Sequence, residues 1–175
     1  MTDVPPAAAV VWEKLYDDVE LPQKATAHSA GRDLRAYLLG APCRIRTADG
    51  VVEQLPSGDD GVTPFVELPA GATAIVPLGF RTSIPAGYEI QIRPRSGTSF
   101  TTDLMIANAP GTIDADYRGE WGVAVRNVGP SPLRIEHGQR IAQAVVASLA
   151  QLPDVEGAVD QTARGAGGFG STGAR

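Results

Sequence analysis

GTIDADYRGEWG, residues 111–122, is the stretch that constrains the fold of this chain most strongly. Ile113 and Tyr117 favour extended backbone, whereas Gly119 can adopt the positive φ that a tight turn needs. The stretch therefore predicts a hairpin whose two arms fold back on each other. Such a hairpin would hold Asp114 and Tyr117 beside free backbone donors and acceptors, where a small planar ligand could bind.

The same short-strand pattern continues along the chain. The 20 glycines and 14 prolines separate runs rich in Val, Ile and Thr, which is typical of an all-β sandwich or barrel. We expect strands over residues 10–15, 33–38, 74–78, 88–93, 122–128 and 140–148, with turns at 69–71, 85–87 and 137–138. Residues 96–102 are expected to form one short helix.

The length of the chain suits one domain. With 175 residues, of which 43% are hydrophobic, it can bury a single core, and we place the domain at residues 1–160. Residues 40–64 carry two alternating runs around Asp49 and Gly50, and they are expected to form an extra surface hairpin and loop. Residues 161–175 are rich in glycine, cannot build a core, and are expected to form a mobile arm.

Charge and cysteine content narrow the class of function. A net charge of −5 argues against non-specific nucleic-acid binding, which needs clustered Lys and Arg. Cys43 is the sole cysteine, so no intrachain disulfide or cysteine zinc cluster can form, which suits a reducing compartment. No apolar run approaches the length of a membrane span. We therefore expect a cytoplasmic protein without nucleic-acid or membrane partners.

Two further motifs suit an anionic ligand. Arg95, Ser96 and Gly97 combine a guanidinium, a hydroxyl and room for close backbone approach, although for this motif taken alone a turn with a solvated arginine is the more frequent explanation. In the C-terminal segment, glycine N–H groups can converge on an anion, with Arg164 as a forked cation and Phe169 as a flat apolar face. Composition alone would also suit a disordered terminus.

Asp114 and Asp116 are a candidate pair of carboxylates. Two residues apart on a regular strand, they would point to the same face and suit base chemistry or a metal. We prefer the interpretation in which Asp116 forms the turn and Asp114 alone faces the site, because one carboxylate suffices to activate a water.

Five segments resemble, in order and spacing, the five motifs of the trimeric dUTP diphosphatases. They are residues 30–36, 94–97, 108–119, 140–143 and 164–173, so the resemblance spans nearly the whole chain. It implies an all-β fold of the jelly-roll-like β-barrel type and a homotrimer with shared active sites. It also implies the hydrolysis of dUTP to dUMP and pyrophosphate with Mg²⁺ as cofactor.

The resemblance also implies a role for individual residues. Asp114 would be the catalytic base, and Tyr117 would stack on the deoxyribose. Base and sugar would be bound by Asn108, Gly111, Thr112, Ile113, Tyr117, Gly122 and Phe169. The phosphates would be bound by Arg95, Ser96, Gly97, Gln143, Arg164, Gly170 and Ser171. Asp33 would act on the metal through water and orient neighbouring arginines.

Two features depart from the family pattern. Residues 98–103 read TSFTTD, where family members more often have Leu-Ala and a basic residue before glycine, and residues 40–64 have no counterpart in compact members. We expect this extra hairpin to stay on the surface, away from the site.

Two other functions fit the same fold. A dCTP deaminase would need a pocket glutamate and typically lacks both the hairpin tyrosine and the glycine-rich arm, which are present here as Tyr117 and residues 164–173. A non-catalytic nucleotide-sensing module could use residues 40–64 to bind a partner. Every expected catalytic position is occupied in this chain, which favours the hydrolase.

Overall fold

A computed structural model describes residues 9–40, 42–58, 61–150 and 152–168. Within those ranges the chain forms strands and one short helix. The strands are β1 (Val11–Lys14), β2 (Gly31–Arg35), β3 (Cys43–Thr47), β4 (Gly50–Gln54), β5 (Phe65–Leu68), β6 (Thr73–Pro77), β7 (Phe80–Ser83), β8 (Tyr88–Arg93), β9 (Leu104–Ile106), β10 (Gly111–Ile113), β11 (Gly122–Asn127), β12 (Leu133–Glu136) and β13 (Arg140–Ser148). The helix α1 is Ser96–Thr101.

Two antiparallel sheets carry the fold. The four-stranded sheet has the order β10-β8-β13-β2, the five-stranded sheet has the order β4-β3-β6-β11-β9, and two ribbons pair β1 with β7 and β12 with β5. Alternate residues of the strands point inward, as Val123 and Val125 of β11 do, and both sheets contribute to one hydrophobic cluster. The predictions of an all-β fold and of one short helix after Pro94 are confirmed.

The hairpin predicted for residues 111–122 is wrong. β10 pairs with β8, whereas β11 pairs with β6 and β9, so the two arms lie in different sheets and residues 114–121 connect them. Gly119 is also not among the glycines with positive φ. The strand β10 ends at Ile113, so Asp114 and Asp116 do not share a strand, and Asp116 lies in a turn as we preferred.

The extra hairpin is formed by β3 and β4 and belongs to the five-stranded sheet. β3 pairs with β4 on one side and β6 on the other, and its side chains alternate. Cys43 and Ile45 are fully buried, while Val51 and Val52 of β4 are exposed. The hairpin is therefore on the surface along β4 but supplies core residues along β3.

The C-terminal segment differs from the rest of the chain. Residues 152–168 contain no strand or helix, and nearly all of them are exposed. Phe169, Gly170 and Ser171 lie outside the described residues. In the described part of the chain, no helix has the length and apolar character needed to cross a bilayer.

Candidate active site

Asp33 lies between two guanidinium groups. Arg95 Nε donates to Asp33 Oδ1 at 2.7 Å, and Arg140 Nη1 donates to Asp33 Oδ2 at 3.1 Å. Partial burial raises the pKa of Asp33, but the hydrogen bonds from the two arginines outweigh it, so the pKa lies below its ordinary value of 3.8. The carboxylate therefore stays ionised near neutral pH and holds both cations in place.

The four-stranded sheet brings this cluster together. In β13, Gln143 is opposite Asp33 of β2 on one side and Arg93 of β8 on the other. Gln143 Nε2 donates to the carbonyl of Pro94 at 2.8 Å, which ties it to the turn that leads to Arg95. Segments that are far apart in the sequence thus bring the Asp33 carboxylate with its two arginines and the Gln143 amide close together.

Thr98 fixes the turn that carries the predicted phosphate-binding residues. It is buried in α1, and its hydroxyl oxygen accepts a hydrogen bond from Arg95 Nη1 at 3.3 Å. Ser96 and Gly97 precede it on the exposed surface of the helix. The departure from the family pattern at residues 98–103 therefore begins with a residue that orients Arg95.

Four of the predicted base-binding residues lie after β9 and in β10. They are Asn108, Gly111, Thr112 and Ile113. Gly111 is buried, and a Cβ at that position would lie 3.1 Å from the amide nitrogen of Asn108, so the two residues are in close contact. Ala107 N donates to Ala124 O at 2.8 Å, which holds this turn against β11. Thr112 is exposed, whereas Ile113 is 9% exposed and packs in the core. The Ile113 side chain therefore does not line a surface pocket.

Asp114 and Tyr117 lie in the loop between β10 and β11. Both are exposed, and Tyr117 N donates to Asp114 O at 3.2 Å. The Tyr117 hydroxyl donates to the carbonyl of Glu120 at 2.9 Å. A Cβ at Gly119 would lie 2.5 Å from Tyr117 Oη and 2.7 Å from Cζ, so the ring covers Gly119. Glycine is needed there for close approach of the ring, not for a positive φ.

Two cavities adjoin these residues. One of about 460 Å³ is lined by Gln143 and by Pro94, to which Gln143 donates, and by Ala109 and Pro110, which precede Gly111. The other, of about 340 Å³, is lined by Pro42, Arg44, Ile75, Pro77, Tyr117, Glu120, Trp121 and Gly122. The structure thus differs from our expectation that residues 40–64 stay away from the site, because Pro42 and Arg44 of this segment share a cavity with Tyr117.

Arg164 is not brought to the other predicted phosphate-binding residues. Its Nε donates to Gly167 O at 2.9 Å within a local turn of the exposed C-terminal segment. Its predicted partners Phe169, Gly170 and Ser171 lie outside the described residues.

Sequence reasoning assigned no role to Arg140 or Glu120. Arg140 begins the motif at residues 140–143, and its position three residues before Gln143 was the available signal. Glu120 Oε1 accepts a hydrogen bond from Gly79 N at 2.9 Å. That contact joins residues 41 positions apart, so no short sequence motif could have indicated it.

The described residues provide no ready-made metal cage. Among them, no group of three or more His, Cys, Asp or Glu is arranged to hold an ion. Asp33 still has a partly exposed carboxylate whose oxygens can accept hydrogen bonds beyond those from the arginines. This donor set suits contact with a hydrated cation through its waters.

Comparison with known proteins gives a consistent result. The dUTPase family model matches residues 62–173. The chain is 48% identical to a deoxyuridine 5′-triphosphate nucleotidohydrolase of Dinoroseobacter shibae, over 89% of this chain and 88% of that protein. It is 45% identical to the protein of that name from Brucella melitensis, over 89% of this chain and 85% of that one.

Solved structures agree on the fold. A mutant dUTPase of Staphylococcus bacteriophage 80alpha with dUpNHpp has a TM-score of 0.71 at 24% identity, covering 94% of this chain and 98% of that one. A mutant dUTPase of phage phi11, described with a structural Mg(II) ion, has a TM-score of 0.65 at 19% identity, covering 87% and 98%. The predicted jelly-roll type of fold is consistent with these likenesses.

Proposed function

Because this chain belongs to the dUTPase family and is a hydrolase that converts dUTP to dUMP and pyrophosphate, we propose that Asp114 activates the attacking water. The observation that carries the proposed site is the cavity of about 460 Å³ lined by Pro94 and Gln143 and by Ala109 and Pro110. Its lining extends from Gln143 and Pro94, the residue before Arg95, to the turn between Asn108 and Gly111. A nucleotide whose base lies at this turn would extend its phosphates towards Arg95 and Arg140.

Asp114 is proposed as the catalytic base. It is exposed directly after β10, so a water can reach its carboxylate. The carboxylate takes a proton from this water as the water oxygen attacks the α-phosphorus in line. The bond from the α-phosphorus to the bridging oxygen breaks, and pyrophosphate leaves on the opposite side.

The base is proposed to be read by the main chain. Backbone N–H and C=O groups at Gly111 and Gly122, with Asn108, Thr112 and Ile113 beside them, would pair with the uracil O4 and N3–H. Since the Ile113 side chain is in the core, its contribution would come from the main chain. Cytosine presents the opposite donor and acceptor and would leave buried groups unpaired, which costs affinity. The methyl group of thymine would clash.

The phosphates are proposed to bind at the Asp33 cluster. Arg95, Arg140 and Gln143, with Ser96 and Gly97, would offset charge on the triphosphate as it develops in the transition state. Asp33 keeps the guanidinium groups oriented before the substrate arrives. From the C-terminal segment, Arg164, Phe169, Gly170 and Ser171 would close over the nucleotide.

Magnesium is proposed to enter with the triphosphate. The partly exposed Asp33 carboxylate fits hydrogen bonding to metal-bound water. When bound, the ion supplies neutralisation of phosphate charge. Asp33 therefore serves two purposes, because the same carboxylate orients the arginines.

We also propose a homotrimer with shared sites. Leu152, Val155 and Val159 are between 82% and 93% exposed, which suits a segment that packs on another copy. In this trimer, residues 161–175 would act as an arm for a neighbour's site and residues 1–160 would form the folded domain.

A cytoplasmic location fits the single cysteine. Burial raises the pKa of the Cys43 thiol to about 11, so the thiol stays protonated and needs no oxidising environment.

Pyrophosphate release from dUTP, dCTP, dTTP and UTP, each with Mg²⁺, tests the proposal. We expect release from dUTP, little from the other three, and loss of activity on chelation. Ammonia release from dCTP would instead indicate a deaminase. Tight dUTP binding without pyrophosphate would indicate a nucleotide-sensing module.

A further inference from the structure

Glu120 connects the Tyr117 loop to the turn between β6 and β7. Its side-chain Oε1 accepts a hydrogen bond from Gly79 N at 2.9 Å. Its main-chain oxygen accepts the hydrogen bond of the Tyr117 hydroxyl, also at 2.9 Å. One residue thus links the ring proposed to contact deoxyribose with a turn of the core.

The turn that receives Glu120 is held rigidly. Gly79 is buried and has a φ of 74°. A Cβ at this position would lie 2.6 Å from Val19 Cγ2 and 2.8 Å from Tyr37 Cγ. Because Gly79 is packed so closely, the turn cannot follow a displaced loop, and its N–H has a fixed direction.

Residues 120–121 bind three consecutive residues, Leu78 and Gly79 of this turn and Phe80 at the start of β7. Leu78 N donates to Trp121 O at 3.0 Å, and Trp121 N donates to Phe80 O at 2.9 Å. Between these two main-chain bonds, the Glu120 carboxylate takes the place of a backbone acceptor for Gly79 N–H.

The indole of Trp121 completes this attachment. It is fully buried, and its ring centroid lies 5.4 Å from that of Trp12 and 5.3 Å from that of Phe80. Trp121 Nε1 also donates to Thr82 Oγ1 at 3.1 Å. Trp121 therefore stays in place when the Glu120 side chain is removed, and the exposed loop before it loses the side-chain contact that ties its end to Gly79.

We propose that Glu120 is a positioning residue that sets where the Tyr117 ring lies, and so how strongly the site discriminates against a ribonucleotide. The inference rests on the proposed contact between Tyr117 and deoxyribose. Without the carboxylate, Gly79 N–H loses its partner, and Glu120 loses the side-chain contact that holds its Cα next to the turn between β6 and β7. The carbonyl that accepts the Tyr117 hydroxyl stays fixed, because it shares a planar peptide with Trp121 N, which donates to Phe80 O. The loop before Glu120 can then swing about the Glu120 N–Cα bond and carry the Tyr117 ring away from this carbonyl, and Gly119 offers no side chain to stop the ring.

The test is the ratio of kcat/KM for dUTP to kcat/KM for UTP, measured with the full chain. We expect Glu120→Ala to lower this ratio roughly tenfold, because a displaced Tyr117 ring changes the fit of dUTP more than that of UTP. Glu120→Gln keeps a side-chain oxygen that can accept from Gly79 N–H, so it should retain most of the ratio. If Glu120→Ala does not fold, Glu120→Asp shortens the side chain and should lower the ratio in the same way.

Tyr37→Phe is the matched control. It removes the hydrogen bond from Tyr37 to Asp18 at 2.9 Å but keeps the ring that packs on Gly79. It should lower stability without changing the ratio, whereas an equal loss of the ratio would show that any weakening near this turn suffices and would overturn the inference.

Tyr117→Ala distinguishes the proposed contact of Tyr117 with deoxyribose from the positioning role of Glu120. If Tyr117→Ala lowers the ratio but Glu120→Ala does not, the positioning role is wrong and the proposed sugar contact stands. If neither variant lowers the ratio, both are wrong. An equal loss in Glu120→Gln and Glu120→Ala would also contradict the role of the hydrogen-bond acceptor.

Discussion

Arg95 Nε donates a hydrogen bond to Asp33 Oδ1 over 2.7 Å. Both side chains are about three-quarters buried, so this ion pair is shielded more than a surface pair would be. Because Asp33 also binds Arg140, it sets the direction of both guanidinium groups before the triphosphate binds.

The first prediction concerns the charge of Asp33. We expect Asp33→Asn to lower kcat/KM for dUTP by about tenfold to a hundredfold, since misplaced arginines no longer match the phosphates. Steady-state kinetics would measure this. Glu13→Gln is the control, because it breaks an arginine pair of the same 2.7 Å length on the β1–β7 ribbon. Unchanged kinetics for Asp33→Asn would contradict the role of Asp33.

The second prediction concerns Gly119. The backbone of Gly119 does not have a positive φ, so alanine is tolerated there, but its Cβ would meet the Tyr117 ring. We expect Gly119→Ala to raise KM for dUTP and to weaken discrimination against UTP, with little loss of thermal stability. Gly157→Ala, where a Cβ meets no atom within 4 Å, should leave both unchanged. A variant with the wild-type discrimination would show that the ring position is unimportant.

The third prediction concerns the β3–β4 hairpin. Ile45 and Val52 are opposite each other, but Ile45 is 1% exposed and Val52 is 54% exposed. We expect Ile45→Ala to lower the free energy of unfolding by about 2–4 kcal/mol and Val52→Ala by about 0.5 kcal/mol or less. Urea denaturation measures both. Equal small effects would mean that the hairpin only decorates the surface.

The fourth prediction is a dependence of stability on pH. Burial, with the hydrogen bond to Asp18, raises the pKa of Tyr37 from 10.0 to about 12. The raised pKa stabilises the folded chain fully below pH 10, and this stabilisation is lost as the pH rises from 10 towards 12. Denaturation midpoints should therefore fall more steeply for the wild type than for Tyr37→Phe in this range. If the midpoints of the wild type and of Tyr37→Phe fall in parallel, the loss of stability between pH 10 and pH 12 does not come from Tyr37.

Local patterns predicted much of the fold. β8 and β13 have the predicted bounds. β8 alternates and lies between the turn at 85–87 and Pro94, whereas β13 does not alternate and is preceded by the turn at 137–138. The short strands β5, β7, β9 and β12 were missed, since three or four residues are too few to show a period.

The hairpin at residues 111–122 failed for a different reason. Its residues favour extended backbone, but the choice of partner is made at long range, where Gly111 pairs with Ile92 and Gly122 with Pro77. Position 119 was predicted to require glycine because of a positive φ, which Gly119 does not have. Glycine is needed there because the Tyr117 ring covers the residue, and backbone propensities do not indicate such a contact.

The candidate site shows the same division. Motif resemblance selected Asp33, Arg95 and Gln143, which the structure places in one cluster. The contacts of Glu120 with Gly79 and of Arg44 with the Tyr117 cavity depend on how the sheets pack, which no single segment encodes.

Asp114→Asn tests the proposed mechanism most directly, with kcat for dUTP and the Kd of dUTP measured on the same preparation. The amide has nearly the same shape as the carboxylate but cannot take a proton from water. We predict that kcat falls by about a hundredfold or more, while the Kd of dUTP changes little. A variant that keeps most of the wild-type kcat would contradict the role of Asp114 as the catalytic base.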